Sequence, residues 1–593
     1  MRQMTSQIPL SQIPLSMSGQ TWCWRGDRAG MMDEGARPDD LVTQLLLARG
    51  CPREEVEAHR SPTIRQFLPD PSIFRDMDRA AERLADAVTA NERVTVYGDY
   101  DVDGATSAAL LIRLLRELGL EAGYYIPDRL MEGYGPSGEA LVRLAESGSS
   151  LIVTVDCGAQ AFEALEMTQS AGVDVIVVDH HKCATALPPA LALVNPNRLD
   201  ENEAAAAHGH LAAVGVAFLL GVALVRALRA RGWFEERSEP DLMALLDLVA
   251  LGTVADVAQL RGLNRAFVAQ GLKVMAREGN GGLVALAQAS RLVRAPLCHD
   301  LGFALGPRIN AGGRVGKSDL GVRLLTTRDE DEARTIAAEL DRLNEERRAI
   351  EAIVQEQAEQ MAASQTNRPV IMVAGDGWHP GVIGIVAGRL KEKFGLPALV
   401  IALDEDGTGK GSGRSITGVD LGAAVLAAKD MGLLVAGGGH AMAAGLTVAG
   451  EKIEALHDFL DERLAEAVGI ARSERVLLLD TIVAPRGINP DLVRSLDQGG
   501  PYGVGWPAPR IASGPARIVK ADVVGNGHVR LVVAGQDGAS LKAVAFRQAD
   551  SLMGQALLHG GRDRRLWIAG RAKVDEWGGG RTAELHIDDA AWA

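Results

Sequence analysis

Aromatic residues are scarce in this chain, 4% of its 593 residues. With 47% apolar content it can still bury large cores, and its length predicts three or four domains. Cysteine is scarce too: Cys23, Cys51, Cys157, Cys183 and Cys298 are scattered, with no C-x-x-C spacing. That argues against a zinc finger and fits a reducing cytoplasm. No run of about 18 uncharged apolar residues is present, so no transmembrane helix and no membrane partner are expected. The first 20 residues carry one charge, Arg2, and repeat Ser-Gln-Ile-Pro-Leu in tandem. Without a basic stretch and an unbroken apolar core they do not read as a signal peptide. A disordered leader over 1–40 is expected, with Met17 as an alternative start. Positive charge is in deficit: the net charge is −15. From Ala471 onward, however, 16 Lys and Arg outweigh 13 Asp and Glu. The total therefore neither supports nor excludes a nucleic-acid partner.

What is present is a run of carboxylates in one short string. Val94-Thr-Val-Tyr-Gly-Asp-Tyr-Asp-Val-Asp-Gly104 ends a β-like run with Asp99, Asp101 and Asp103 at alternate positions. Downstream, Val173–Asp179 ends another β-like run and leads into His180 and His181. Carboxylates and imidazoles converging at strand ends suit a pair of divalent cations, which in turn suit phosphoester hydrolysis. An EF-hand calcium loop is a poor fit, because the twelfth position from Asp99 holds Leu110 rather than Glu. Asp156 closes Leu151–Val155, where a helix cap is an equal alternative, and beside the first motif it becomes a candidate bridging ligand. Asp256 follows the apolar stretch Leu242–Leu251. Adjacent histidines on extended backbone are expected to point to opposite sides.

Organisation follows from periodicity. Residues 41–90 read as helical. From Arg93, short β runs (Val94–Tyr97, Leu151–Val155, Val173–Val178) alternate with helices (Thr106–Leu118, Ala161–Ala171). This predicts an α/β parallel sheet with ligands outside the carboxyl ends of its strands. Arg328 to Ala363 reads as one long helix of connector length. Residues 367–470 read as a second α/β segment. Short β runs from about Arg475 (Arg517–Val523, His528–Val533, Ala543–Phe546, Arg565–Ile568) fit a barrel such as an OB-fold or a sandwich. Gly306–Arg314, Gly411–Ser415 and Gly437–His440 read as glycine-rich loops whose amides, with Arg308, Asn310, Arg314, Ser412, Arg414 and His440, would bind anions.

Together these motifs resemble the DHH phosphoesterase superfamily, and within it the single-strand-specific 5′→3′ DNA exonucleases. Further strings carry the likeness: Ile126-Pro-Asp-Arg129-Leu-Met-Glu-Gly-Tyr-Gly135, Val194-Asn-Pro-Asn197, Val214-Gly-Val-Ala-Phe218, Leu251–Asp256 and Trp378-His379-Pro-Gly-Val-Ile-Gly-Ile385. The resemblance implies a DHH catalytic domain (91–327), a connecting helix (328–366), a DHHA1 domain (367–470) and a C-terminal OB-fold (471–593). It implies two cations, Mn²⁺ or Mg²⁺, on Asp99, Asp101, Asp103, Asp156, His180 and Asp256, with Asp156 bridging and His181 near the scissile phosphate. Arg129, Arg308, Asn310, Arg314, His379, Ser412, Arg414 and His440 are then expected to hold the substrate. The implied activity releases 5′-mononucleotides in DNA recombination and repair. The implied setting is the bacterial cytoplasm and nucleoid, as a monomer, with a single-strand-binding protein and a RecQ-type helicase as partners. Cys157 stands where the family usually has Asn, which suggests sensitivity to oxidants. Trp506 replaces a usual Asn in Gly503-Val-Gly-Trp-Pro, which puts a local turn in question. Two alternatives stay open: a DHH enzyme of short oligoribonucleotides or cyclic dinucleotides, disfavoured by the extra C-terminal residues, and a non-catalytic scaffold, disfavoured by the full set of carboxylates.

Overall fold

A computed structural model describes residues 16–26, 40–128, 132–133, 135–560, 564–575 and 582–593. The chain forms two compact units. One comprises residues 61–352 with 501–507; the other comprises 1–60, 353–500 and 508–593.

The first unit is built on a five-stranded, all-parallel sheet of β1 (Val94–Gly98), β2 (Gly123–Tyr125), β3 (Leu151–Val155), β4 (Asp174–Val178) and β5 (Ala192–Val194), in the order β2-β1-β3-β4-β5. β1 and β3 are buried along their whole length, as expected where helices cover both faces. Helix α1 (Val102–Glu117) follows β1. Two apolar helices, α2 (Ala213–Ala230) and α3 (Leu246–Ala255), pack with α1 into the core. By length and composition α2 could cross a membrane, but most of it is buried inside this unit. Helix α4 (Gly306–Val315) is followed by the expected long helix, α5 (Glu330–Ala362). Residues 501–507 also pack here: the Leu260 amide donates to the Val504 carbonyl (2.8 Å) and buried Arg265 to the Pro501 carbonyl (2.8 Å). Trp506 lies under the Arg265 guanidinium, 5.7 Å from it, so the Trp that departs from the resemblance serves as a packing surface.

The second unit holds two large sheets and a separate two-stranded one. One contains β6 (Ile371–Asp376), β7 (Ala398–Leu403), β8 (Thr408–Arg414), β9 (Ala436–His440) and β10 (Ala443–Ala449), in the order β9-β10-β8-β7-β6, with helix α6 (Ile383–Phe394) packed on it. Only β6 and β7 run parallel. The other is a five-stranded closed barrel of β11 (Ile511–Val524), β12 (His528–Ala534), β13 (Ser540–Ala545), β14 (Arg565–Val574) and β15 (Ala583–Trp592), consistent with an OB-fold. It closes through β11–β14 pairing, and an aliphatic core fills it. Inside the expected leader, Thr21–Trp24 form a strand paired with Val476–Leu479, and the Trp22 indole donates to Asp589 (2.8 Å). Three indoles and an ion pair outweigh the weak local signal there: Trp22, Trp24 and Trp567 share one cluster, and Arg25 meets buried Asp480 at 3.2 Å.

Candidate active site

Asp99, Asp101 and Asp103 lie where β1 turns into α1. Asp101 makes the turn as N-cap, accepting from the amides of Asp103 (2.8 Å) and Gly104 (3.1 Å). Gly104 must lack a side chain, because a Cβ would stand 2.4 Å from the Asp99 carbonyl oxygen. Asp103 is buried, and its two carboxylate oxygens accept from the first amides of α2, Ala213 (2.7 Å) and Val214 (2.9 Å). A helix N-terminus is a natural holder of negative charge. Asp156 closes β3 with φ at 60°, a left-handed backbone that Asp tolerates better than most residues. Asp256 caps the C-terminus of α3.

His180 completes the cluster. Its Nδ1 donates to the Leu211 carbonyl (3.1 Å), so its Nε2 lone pair faces Asp156 Oδ1 (3.3 Å) and Asp103 Oδ2 (3.9 Å). That Nε2 is buried and has no hydrogen-bond partner among the described residues. A buried acceptor aimed at carboxylates calls for a cation between them. His181 is held differently: Nδ1 lies 2.7 Å from Asp179, which also accepts from the backbone amides of Ala159, His180 and His181. The two imidazoles do not diverge. Their centroids are 4.6 Å apart, and both reach Asp156 Oδ1 within 4 Å. β4 ends at Val178, so strand alternation no longer governs residues 180 and 181.

Three overlapping groups have ligand atoms within 4.8 Å of one another: Asp99 with Asp101 and Asp156; Asp156 with His180 and His181; Asp103 with His180 and Asp256. Their protonation shows the strain of so much negative charge. Burial and the neighbouring Asp101 push Asp103 up to about 7. Burial and then Asp103 and Asp101 push Asp256 up to about 9. Asp156 rises well above the carboxylate range through burial and then Asp101, Asp103 and Asp99. Burial and then His181 lower His180 to about 4, leaving it neutral and able to ligate. Burial opposes charge on both His181 and Asp179. Even so, their hydrogen bond and mutual charge raise His181 to about 9 and hold Asp179 at about 2. Hard oxygen donors with one imidazole fit Mg²⁺ or Mn²⁺.

Arg129 lies outside the described residues. Gly306–Arg314 is the helix α4, not a loop, so its amides are spent on the helix. Its glycines serve close approach: a Cβ on Gly313 would stand 2.9 Å from the Tyr100 carbonyl oxygen. α4 therefore lies against the Asp99–Asp103 turn, bringing Asn310 and Arg314 to that side of the unit. Arg308 is buried and engaged elsewhere, with Asp341 (2.8 Å) and the Ala304 carbonyl (2.7 Å).

In the second unit, Gly411–Arg414 and Gly437–His440 belong to strands β8 and β9, not to loops. Gly409, Gly411 and Gly413 alternate along β8 because Cβ atoms there would stand 2.6 to 2.7 Å from Ile401, Leu446 and Leu421. The opposite face carries Ser412 and Arg414, joined by an Arg414–Ser412 hydrogen bond (3.1 Å). Across the ladder, Arg414 pairs with Ala443, and Ala443 with His440. Gly384, at the start of α6, faces both Ser412 and Arg414. His379 precedes that helix and accepts from the Gly381 amide (3.0 Å).

Three family profiles match: the DHH family N-terminal domain over residues 93–253, the DHHA1 domain over 367–466 and the RecJ OB domain over 479–589. The single-stranded-DNA-specific exonuclease RecJ of Dickeya dadantii is 38% identical, over 92% of this chain and 95% of its own length. The chain belongs to the RecJ family. The RecJ of Escherichia coli is 36% identical over 93% of this chain and 95% of its own. The crystal structure of Thermus thermophilus RecJ with Mn²⁺ superposes with a TM-score of 0.75 at 30% identity, covering 93% of this chain and 75% of that one. Its Mg²⁺ complex gives 0.69 at 28%, covering 93% and 74%.

Against this RecJ frame, one expectation is corrected and others are added. Cys157 is buried and its thiol donates to the Val155 carbonyl (3.4 Å), with burial pushing its pKa far up. Its side chain belongs to the apolar cluster of Tyr97, Ile152 and Val177, and both its burial and its raised pKa work against oxidation. Asp179, Asn195 and Asn197 carried no role in the sequence reading. Asn195 and Asn197 donate to the carbonyls of His181 (2.8 Å) and His180 (2.6 Å), fixing the backbone that presents both imidazoles. The strings Asp179-His-His and Val194-Asn-Pro-Asn197 were their only signal.

Proposed function

We propose that this chain is a metal-dependent exonuclease that hydrolyses single-stranded DNA from the 5′ end, releases 5′-mononucleotides and acts in recombination and repair. The observation that carries the reading is the buried carboxylate–imidazole cluster at the carboxyl edge of the parallel sheet, in a chain of the RecJ family. Asp99, Asp101, Asp103, Asp156, His180 and Asp256 would hold two cations, Mn²⁺ or Mg²⁺, with Asp156 shared by two of the three groups. When bound, the cations supply Lewis acidity and a water of lowered pKa. His181, hydrogen-bonded to Asp179, would place a proton at the phosphate. The bond broken joins phosphorus to the 3′ oxygen, so the released nucleotide ends in a 3′-hydroxyl and the shortened strand keeps a 5′-phosphate. Asn310, Arg314 and Arg129 hold phosphates beside the cations, while Arg308 supports α4 from behind. Ser412, Arg414, His379 and His440 receive the strand's 5′-terminal phosphate.

We assign residues 91–327 to catalysis, 328–366 to the connecting helix, 367–470 to 5′-end recognition and 471–593 to strand binding. Phe546 supports the last assignment: it is 47% exposed on the barrel, between His528 (5.1 Å) and His586 (4.8 Å). Aromatic faces of this kind stack bases without regard to sequence. The inferred partners are a single-strand-binding protein and a RecQ-type helicase, with the chain acting as a monomer on the nucleoid in the bacterial cytoplasm. The test is product length and polarity on end-labelled single strands with Mn²⁺. A 5′ label should leave as mononucleotide from the first turnovers; early release of a 3′ label, or of longer fragments, overturns the reading.

A further inference from the structure

One aromatic side chain is left in solvent on a turn that packs against the elements of the metal cluster. The segment before α4 is a single π-helical turn, Leu301–Leu305. Its two leucines, Leu301 and Leu305, are fully buried, yet Phe303 between them is 69% exposed. Phe303 does not stand alone. Its ring stacks on His299, one turn earlier, with centroids 4.4 Å apart and planes 23° from parallel. π turns of this kind are rare and concentrate at functional sites.

The turn's position gives the pair its use. A Cβ on Gly302 would stand 3.5 Å from Val254 Cγ1. One on Gly306 would stand 3.4 Å from Ala255 and 3.9 Å from Val102. Val254 and Ala255 immediately precede Asp256, and Val102 lies between Asp101 and Asp103. The turn therefore packs on the side chains of residues that adjoin three of the metal-site carboxylates, Asp101, Asp103 and Asp256. Val257, directly after Asp256, is also exposed, with a left-handed backbone at φ 63°. An isolated exposed apolar residue needs no explanation. A preformed aromatic pair on a turn packed beside the metal-site residues does.

We propose that Phe303, braced by His299, is the stacking platform for a nucleobase of the single strand flanking the phosphate that is cut. The proposal rests on the exonuclease reading above. Every base offers a π face, so such a platform positions the strand without selecting its sequence. It also favours unpaired DNA, because a base must leave its duplex stack to reach the ring. Phe303 is thus a substrate-positioning residue; the cations and His181 remain the reacting machinery.

The test uses the full-length chain with Mn²⁺, comparing wild type, Phe303→Ala and Phe303→Trp on an oligonucleotide and on a set of the same strand with one abasic site at each of the first four positions. Because Phe303 is exposed, thermal midpoints should stay together. Phe303→Ala should lower kcat/KM on the intact strand roughly 5- to 150-fold, the range for one lost base stack, mainly through KM. Phe303→Trp should restore it. At one abasic position wild type and Phe303→Ala should cut alike. Unchanged kinetics in Phe303→Ala, or the same loss at every abasic position, overturns the platform while leaving the exonuclease reading standing. A wild-type chain inert on all single strands overturns both.

Discussion

The all-parallel sheet of the first unit and the mixed sheet of the second present their polar residues in opposite ways. In the first, the proposed metal-binding residues sit beyond the strand ends. Asp99, Asp101, Asp103, Asp156, His180 and His181 occupy turns whose geometry comes from caps, a helix N-terminus and a left-handed residue. In the second, the proposed phosphate-binding residues sit on a strand face. Ser412 and Arg414 project from β8 because alternate glycines let its other face press against Ile401, Leu446 and Leu421. The first site concentrates negative charge that the protein alone does not neutralise. The second offers positive charge and a helix start. One arrangement gathers cations; the other suits a phosphate.

The most severe way to break the comparison is at Asp156. Asp156→Ala should reduce hydrolysis by at least about 1,000-fold, since the proposed shared ligand would organise both cations. Thermal stability should hold, because relief of carboxylate repulsion offsets backbone strain. Near-normal turnover on end-labelled DNA, with an unchanged melting temperature, would remove Asp156 from the site. His181→Ala should come next, slowing the chemical step by roughly 100-fold or more, the range for a positioned proton donor. Calorimetry should show Mn²⁺ affinity retained. Lost affinity would make His181 a ligand.

On the other side of the comparison, Arg414→Ala should cost roughly 10-fold on 5′-phosphorylated strands and less on 5′-hydroxyl strands, as expected for one charge-assisted phosphate contact. Equal losses would assign Arg414 to an internal phosphate or to the fold. The smallest effect concerns pH. Asp103, Asp156 and Asp256 have folded-state pKa values raised above their unfolded ones, to about 7 for Asp103 and about 9 for Asp256. Groups of this sign stabilise at low pH and lose that contribution as pH rises through the raised value. His181, raised to about 9, acts in the same direction. Metal-free protein should therefore melt a few degrees lower at pH 9 than at pH 6. Mn²⁺ should raise the midpoint more at pH 9, where fewer protons compete. A metal-free midpoint that climbs across this range would contradict the electrostatic picture of the site.

Much of the first unit was legible in the sequence, because its main strands are apolar, largely β-branched runs and carboxylates close three of them in succession. The second unit was harder for a physical reason. Glycine reports either a backbone that turns or a neighbour that presses close, and Gly411, Gly413 and Gly437 are the second kind. The same ambiguity hid the helix at Gly306–Arg314. The relation of the two histidines was misjudged because alternation was extended past the last residue of β4. Asp179 was visible as a letter but not as the anchor of His181, since its partners are backbone amides that no side-chain pattern announces. Thr21–Trp24 was missed because its strand partner lies more than 450 residues away.

The left-handed backbone at Asp156 has a practical consequence for anyone wishing to capture this enzyme on DNA. Alanine there removes the carboxylate and also asks for a conformation that a Cβ without a polar arm adopts poorly. Asparagine keeps the shape, the backbone preference and one oxygen, while discarding the charge. Asp156→Asn is therefore the cleaner silent form: a chain that should thread and hold a single strand without shortening it, suited to crystallising the substrate complex.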